Sequence, residues 1–165
     1  NDLRIFSEGN TENSNPLFNL GTQNGGATGQ LDVFIRNGTG GWSTVGHIFS
    51  EQEPFDGQWH HIAWVEDKGA RSIYVDGNLD SLEIGPRPSE GEFPLNNTSI
   101  GGILRASASH WVTGLLDDAA IWSRALSEDE IKEGLALPVQ KFCQNSYQER
   151  APSMRPAESP DVAKV

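Results

Sequence analysis

Carboxylates are the first side chains in this sequence whose spacing could support catalysis. A glycoside hydrolase that retains configuration needs two carboxyl groups about 5–5.5 Å apart. The nearest cluster is Glu128-Asp129-Glu130, with Glu133 following. Ser127 comes immediately before these acids, and a serine with glutamate three residues later is the capping box of a helix start. First-turn acids also suit the helix dipole, so we predict that this cluster caps a helix and that the chain has no catalytic residue.

Two adjacent histidines, His60 and His61, are residues of a type that binds metal ions. Adjacent residues of a strand point to opposite faces, so these two cannot share one ion. We therefore predict that one is packed or hydrogen-bonded and that the other faces a groove.

A third candidate is the spacing of Asp76, Asn78 and Asp80, which matches the opening of an EF-hand calcium loop. Such a loop requires glutamate at its twelfth place, which is Arg87 here. A bound cation would face a cationic side chain, so we reject this site. Asp76-Gly77 after an apolar run predicts a tight hairpin turn instead.

Aromatic and polar side chains on predicted loops are the candidates for ligand binding. Trp42 lies in a glycine-rich loop, where an exposed indole would offer a flat face for stacking on a sugar. Arg105, His110 and Trp111 lie in a second loop that is rich in hydrogen-bond donors. Core packing is the alternative for Trp111, and it is the interpretation that we favour.

Composition narrows the range of partners. The 165 residues carry 23 Asp and Glu against 12 Lys and Arg, a net charge of −11. Nucleic acid and anionic lipid require clustered cations on a protein, so neither is an expected partner. No apolar run approaches the ~20 residues of a membrane span, so we expect no membrane insertion. The single cysteine, Cys143, leaves no intrachain disulfide to hold the fold.

Short strands are the elements that must position these residues. Apolar or alternating runs, separated by turn-forming clusters, fill residues 3–137, which is typical of an all-β sandwich or barrel. Residues 59–65 are apolar on both faces, which predicts a central strand with Trp59 and Trp64 in the core, where we also place Trp122. The predicted strands are 3–7, 17–20, 30–36, 44–49, 59–66, 72–75, 80–84, 98–103 and 111–122.

The composition changes after Pro138. Residues 138–165 are rich in proline, serine, glutamate and arginine and contain few large apolar residues. Such a segment cannot bury enough apolar surface to fold. We predict one domain over residues 1–137, which closes with the short capped helix, and a linker or disordered tail over 138–165.

Three blocks of sequence carry a resemblance to a known family. They are Asp-Gly-Gln-Trp-His-His-Ile-Ala at 56–63, Ile-Tyr-Val-Asp-Gly at 73–77, and a block at 114–131 that contains Leu-Leu-Asp-Asp, Arg-Ala-Leu-Ser and Glu-Asp-Glu-Ile. In this order they resemble the laminin-G-like group of the concanavalin A-like lectin/glucanase superfamily. The resemblance implies an all-β, two-sheet antiparallel jelly-roll sandwich. Domains of this group usually begin with strands before the segment that matches 3–7, so it also implies that the first strand or strands are missing.

The resemblance implies a non-catalytic recognition module that binds carbohydrate or a glycosylated protein, as part of a larger extracellular or cell-envelope protein. Two other functions stay open. One is a glycoside hydrolase of the glucanase type, which would require two facing carboxylates in a groove. The other is a structural or assembly domain, in which strand exchange with a partner or a second copy supplies the missing strands.

Asp117 is the candidate metal ligand. It lies in the middle of the predicted strand 111–122, where a carboxylate is costly unless it is paired or binds a cation. Lectin-type jelly rolls similar to this chain often hold a structural calcium ion with an acid on their last long strand, and Asp117 matches that position. The resemblance therefore implies one structural calcium ion. A hydrogen bond to a loop or to Arg124 is the alternative.

Overall fold

A computed structural model of the chain describes residues 2–36, 46–85 and 94–136. Its elements are β1 Arg4–Gly9, β2 Leu17–Thr22, β3 Leu31–Arg36, β4 Gly46–Phe49, β5 Ile62–Asp67, β6 Ala70–Val75, β7 Asn78–Ile84, β8 Asn97–Ile100 and α1 Glu128–Ala136. The strands form two antiparallel sheets, one in the order β4-β3-β2-β1-β8 and one in the order β5-β6-β7. This architecture confirms the predicted two-sheet β-sandwich of the jelly-roll class.

The core lies between the two sheets. β3 and β4 contribute Leu31, Val33 and Ile48, while β6 contributes Ile73 and Val75, and none of these is more than 5% exposed. Because side chains alternate between the faces of a strand, apolar residues at every second position direct one face of each strand inward. Full burial of one such side chain contributes about 1.5–3 kcal/mol, so these five residues fix how the sheets face each other.

β6 and β7 are joined by the tight hairpin that the sequence predicts. Asp76 and Gly77 both have positive φ, 50° and 77°, as a two-residue type I′ turn requires. Val75 pairs with Asn78 directly across the turn. A Cβ added to Gly77 would lie 2.6 Å from Leu135, so this glycine also lets α1 approach the hairpin.

α1 begins as the capping box predicts. The Ser127 hydroxyl accepts a hydrogen bond from the Glu130 amide at 3.3 Å, and the Glu130 carboxylate accepts one from the Ser127 amide at 2.9 Å. Ile131 is 2% exposed and is the residue that anchors the helix to the rest of the domain. The guanidinium of Arg124 also bonds the Glu130 carboxylate and, with the Ser127 amide, lowers the pKa of Glu130 to about 2.

The predicted strand at 111–122 is wrong. Its residues form an irregular segment, in which Leu115 and Ile121 are 78% and 70% exposed. A strand needs a neighbour that accepts its backbone hydrogen bonds. The Val112 amide bonds the Gly101 carbonyl at 2.9 Å, but in the described part of the chain residues 113–122 pair with no strand. The segment has the apolar pattern of a strand, but among the described residues no neighbouring strand pairs with it.

The predicted core positions of the tryptophans are only partly right. Trp64 packs against the core between the sheets, and Trp122 is half-buried. Trp59 is 65% exposed, because β5 begins only at Ile62 and Trp59 lies in the loop before it. Core packing of Trp111 is also wrong, since this residue is 57% exposed.

Candidate functional site

A polar surface covers the side of the five-stranded sheet that faces away from the three-stranded sheet. We call this side the outer face. Strand pairing arranges its side chains in three rows across the sheet, because residues paired across antiparallel strands share a face. The rows are Asn97, Gly9, Leu17 and Arg36; Ser99, Ser7, Asn19, Phe34 and His47; and Arg4, Gly21, Asp32 and Phe49.

A loop lies across the outer face, and it contains the residues that the sequence predicts for ligand binding. We call residues 101–112 the covering loop. Ile103 packs against Leu17 and Phe34 in an apolar cluster in which each residue is 8% exposed or less. Ser7 donates a 2.6 Å hydrogen bond to the carbonyl of Gly102. Arg105, His110 and Trp111 are therefore held against one sheet.

A charged network closes one end of the outer face. The Asp32 carboxylate is 1% exposed and accepts a hydrogen bond from Arg4 at 2.9 Å. Nδ1 of His47 lies 2.9 Å from both oxygens of the same carboxylate. Arg4 extends the network to Asp2 at 3.0 Å. The His47 ring also packs against the Phe34 ring, with centroids 4.4 Å apart and planes tilted by 34°.

Other polar atoms of the outer face are buried without a partner among the described residues. These are Nε of Arg4, both amide atoms of Asn19, Nε of Arg36 and Oδ1 of Asn97. Asn19 is the most deeply placed, at 1% exposed. Leaving a buried donor or acceptor unsatisfied costs about 1–3 kcal/mol. Buried water commonly bonds groups of this kind.

Cations gather where the covering loop meets the sheet. Burial, together with the nearby charges of Arg36 and Arg4, lowers the pKa of Arg105. Burial and the charges of Arg105 and Arg4 also lower the pKa of His110, which favours the neutral imidazole. His110 has φ of +60°, and its carbonyl accepts the amide of Arg4 at 3.0 Å. A non-glycine residue at positive φ is uncommon, and such residues cluster at functional sites.

Trp111 presents its indole at the edge of this surface. The ring is 57% exposed, yet its other side lies against the backbone, because a Cβ on Gly102 would approach the ring to 2.5 Å. Part of the indole thus packs against Gly102, while more than half of the residue stays exposed. A fixed, half-exposed aromatic face suits stacking on the apolar face of a sugar ring. Trp42 lies outside the described residues.

Asp117 does not join this cluster. It is exposed, and its carboxylate accepts a hydrogen bond from the amide of Asp118 at 2.9 Å, whereas Arg124 bonds Glu130 instead. Within residues 2–36, 46–85 and 94–136, no three His, Cys, Asp or Glu side chains form a group that could hold a metal ion. Calcium binding at Asp117 therefore stays a prediction.

His60 and His61 lie immediately before β5 of the three-stranded sheet, far along the chain from the covering loop. His60 bridges two carboxylates, with Nδ1 at 2.8 Å from Asp76 and Nε2 at 3.2 Å from Asp56. The hydrogen bond to Asp76 raises the pKa of His60. His61 is half-buried, and burial lowers its pKa. One histidine is thus hydrogen-bonded, as predicted, and the two do not converge on a common point.

The acids of the capped helix have partners of their own. Glu130 bonds Arg124 and caps the helix, and Glu128 accepts a 2.5 Å hydrogen bond from Lys132. Asp129 lies in the first turn, where its charge suits the helix dipole. The structure therefore uses this cluster to begin a helix.

Comparison with known families identifies the fold group. A family model for laminin-G domains, described as the concanavalin A-like lectin/glucanases superfamily, matches residues 1–132. The chain belongs to this family. That membership agrees with the two-sheet architecture, and it leaves the ligand open because one superfamily contains both lectins and glucanases.

Two individual proteins are similar to parts of this laminin-G-like chain. The human adhesion G-protein coupled receptor D1 is 27% identical over 108 residues, which is 64% of this chain and 12% of that receptor. A crystal structure of an S-layer domain-containing protein from Clostridium thermocellum has a TM-score of 0.42 and 22% identity, over 81% of this chain and 63% of the other. The chain thus spans about an eighth of the receptor's length.

The sequence predicted the loop of the site but missed the sheet beneath it. Asn19, Asp32, Arg36 and His47 were not among the predicted site residues. A signal was present in β3, where Asp32 and Phe34 alternate with Leu, Val and Ile. Leu, Val, Phe and Ile make most of β3 apolar on both sides, which is typical of a strand covered on both faces. In the described part of the chain, no helix has the length and apolar character to cross a bilayer.

Proposed function

We propose that the chain is a non-catalytic recognition module for carbohydrate or glycosylated protein, and that the covering loop and the outer face form its binding site. The exposed indole of Trp111 carries this proposal. It is fixed on Gly102 beside Arg105 and His110, so one stacking surface and several hydrogen-bond donors are held on a single loop. Sugar-binding sites combine these two features, since a pyranose offers an apolar face and a rim of hydroxyl groups.

An extracellular or cell-envelope setting is part of the same proposal. It is supported by membership of the laminin-G group and by the likeness to a human adhesion receptor over 108 residues. The module would then be one part of a larger protein that presents it to glycans outside the cell.

Titration calorimetry of the 165-residue protein against a glycan panel tests the proposal. We expect micromolar to millimolar binding of at least one glycan, and we expect Trp111→Ala to weaken it by about 1–2 kcal/mol, the contribution of one aromatic contact. Trp59→Ala is the matched control, because Trp59 is comparably exposed but lies before β5. Absence of binding to every glycan, or equal losses in both variants, would contradict the proposed site.

Calcium enters the proposal as a structural ion with Asp117 among its ligands. The supporting observation is that Asp117 is exposed and available to a cation. Repeating the titration and the thermal unfolding with calcium and with a chelator tests it. A rise in Tm with calcium that Asp117→Asn abolishes would support the ion. An unchanged Tm would exclude it.

An assembly function is the second candidate, because exposed apolar side chains lie along residues 111–121 and on β7. The glucanase alternative requires two carboxylates facing each other across a groove. The buried acid of the outer face, Asp32, is instead paired with Arg4 and His47. An assay for hydrolysis of the same glycans tests the glucanase alternative. Release of reducing ends would overturn the non-catalytic proposal.

A further inference from the structure

The five-stranded sheet extends past the three-stranded sheet on one side of the sandwich. β6 packs over β3 and β4, since Ile73 and Val75 share the core with residues of those strands. β5 lies over β2, because the rings of Trp64 and Phe18 have centroids 6.3 Å apart. β5 is the last strand of its sheet on this side, whereas β1 and β8 follow β2. Within the described residues, β1 and β8 therefore have no opposing strand.

Burial decreases along one row of apolar side chains as the row crosses to this side. Strand pairing places Ile48, Val33, Leu20, Phe6 and Ile100 in one row on the core face of the sheet. Ile48 and Val33 are 5% and 0% exposed, Leu20 and Phe6 are half-buried, and Ile100 is 57% exposed. Apolar surface that the core would bury elsewhere is thus open to solvent beneath the missing part of the second sheet.

The free backbone edge of β5 borders this open side of the core. In the described part of the chain, β5 pairs with β6 and with no other strand. A strand can form hydrogen bonds on both sides, so the other side of β5 presents a row of N–H and C=O groups to a further strand. A strand added there would lie about 4.8 Å from β5 and would cover β1. Its inward side chains would contact Phe6 and Ile100.

One acid lies among the apolar side chains of this surface. Glu8 pairs with Phe18 across β1 and β2, so its side chain lies on the core face of the sheet, where it is half-buried. Its carboxylate accepts a hydrogen bond from the Thr98 hydroxyl at 3.4 Å, and among the described residues it forms no salt bridge. A half-buried carboxylate without a cation favours a positively charged neighbour. The surface therefore matches one basic side chain among apolar ones.

We propose that the free edge of β5 binds an extended segment of a partner protein as an additional strand, in which apolar residues alternate around one lysine or arginine. The inference rests on the assembly function, the second candidate above, and specifies the partner's chemistry. Strand addition takes its affinity from main-chain hydrogen bonds and its specificity from alternate side chains. Residues 113–122 of a second copy do not fit, because they include Asp117 and Asp118 and no basic residue that could pair with Glu8.

Fluorescence anisotropy with labelled peptides tests the proposal on the full 165-residue protein. The probe peptide is Val-Thr-Val-Thr-Lys-Thr-Val-Thr-Val, in which valines and the lysine share one face of a strand. The glutamate peptide has Glu in place of Lys, and the scrambled peptide, Thr-Thr-Val-Val-Lys-Val-Val-Thr-Thr, has the same composition without alternation. We expect the probe to bind about tenfold more tightly than the glutamate peptide, because attraction to Glu8 is replaced by repulsion. The scrambled peptide should not bind measurably.

Methylation of the peptide amides tests the backbone pairing. Successive amides of a strand point to opposite edges, so only one alternate set of N–H groups can bond β5. N-methylation of that set in the probe peptide should abolish binding, whereas N-methylation of the other set should largely preserve it. A contact that used side chains alone would not distinguish the two sets.

Variants assign the peptide to this side of the molecule. Glu8→Lys should reverse the preference, so that the glutamate peptide binds more tightly than the probe. Glu133→Lys makes the same change at an exposed position of α1 and is the matched control. Ile100→Asn should weaken the probe several-fold, whereas Ile84→Asn, on the β7 edge, should not. Circular dichroism shows that each variant is folded, and the exposed Ile100 keeps the test valid if Glu8→Lys does not fold.

The outcomes separate this inference from the assembly function itself. The strand proposed at β5 is wrong if no peptide binds, if the probe and scrambled peptides bind equally, or if both methylated sets bind. It is also wrong if a folded Glu8→Lys variant keeps the original preference, or if Ile100→Asn and Ile84→Asn lose the same affinity. Light scattering of the protein without peptide measures self-association separately, so assembly through another edge stands or fails by that result.

Discussion

Asp32 is the central acid of the charged network at one end of the outer face. It is 1% exposed and holds Arg4, which is 4% exposed, together with His47. A carboxylate in such a place is tolerated because its charge is matched and its lone pairs are used. Removing it would leave the guanidinium of Arg4 buried without its principal partner, beside the less buried Asp2.

Asp32→Ala should therefore destabilise the protein strongly. We expect a loss of about 3–5 kcal/mol, the usual result when one partner of a buried ion pair is removed, measured by urea unfolding. Asp67→Ala, at an exposed position at the end of β5, should change stability by less than about 0.5 kcal/mol. Similar midpoints for the two variants would show that the network contributes little.

His60 makes the loop before β5 sensitive to pH. Its hydrogen bond to Asp76 raises the pKa of His60, so the folded state holds this proton more tightly than the unfolded state. The stabilisation is fully present below the unfolded pKa of about 6.5 and is lost as pH rises through the folded pKa. Hydrogen bonds from Gln58 and His60 lower the pKa of Asp56, which extends the favourable range down towards pH 4.

Thermal unfolding of the unmodified protein and of His60→Gln tests this pH dependence. The difference in Tm between them should be larger at pH 5.5 than at pH 8.5. His61 and His110, whose pKa values burial lowers, titrate in both proteins and cancel from the difference. A difference that is constant with pH would show that His60 carries no charge in the contact.

At the scale of elements, the start of α1 depends on one hydroxyl. Ser127 caps the helix, and Glu130 returns the bond. Ser127→Ala should cost about 1 kcal/mol, whereas Ser127→Asp should retain the stability because aspartate also caps. Chemical denaturation measures both. Equal losses in the two variants would indicate that the hydroxyl makes some other contact.

The covering loop depends in the same way on a glycine. A Cβ on Gly102 would lie 2.5 Å from the Trp111 ring, so Gly102→Ala should displace the indole. We expect a shift in tryptophan fluorescence and a several-fold loss of glycan affinity, with about 1–3 kcal/mol of overpacking cost. Gly114→Ala is the control, since nothing lies within 4 Å of its added Cβ. Unchanged fluorescence in Gly102→Ala would contradict the stacked position.

The elements also show what a sequence can predict here. The hairpin at Asp76-Gly77 and the cap at Ser127 follow from local chemistry, because the residues that make them are neighbours in the chain. Residues 111–122 were predicted as a strand and do not form one, since a strand depends on a distant partner that its own residues do not encode. The outer face was missed for the same reason, as Asn97 and Arg36 come to lie in one row only through the strand order.

At the scale of the whole molecule, arginines are concentrated on one face although the net charge of the chain is negative. The chain carries −11, yet the outer face gathers Arg4, Arg36 and Arg105 at its surface with the covering loop. Beyond the Debye length of about 8 Å the net negative charge is largely screened, so a group at this face is influenced mainly by the nearby arginines.

The sheets themselves have open edges within the described part of the chain. β5 and β7 end the three-stranded sheet, and neither has a further neighbour there. β7 exposes Leu79, Leu82 and Ile84, at 46%, 54% and 81%. An edge strand with apolar side chains and free backbone groups invites pairing with another strand. The assembly function proposed above as second candidate would use this edge.

Self-association should therefore depend on β7. Size-exclusion chromatography with light scattering should give a mass above the monomer that rises with protein concentration. Leu82→Lys with Ile84→Lys should lower that mass, because lysine on an edge strand opposes strand pairing. Trp59→Lys places the same charge at a comparably exposed residue in the loop before β5, and should leave the mass unchanged. If the unmodified protein has the monomer mass at every concentration, exchange of strands between copies is excluded.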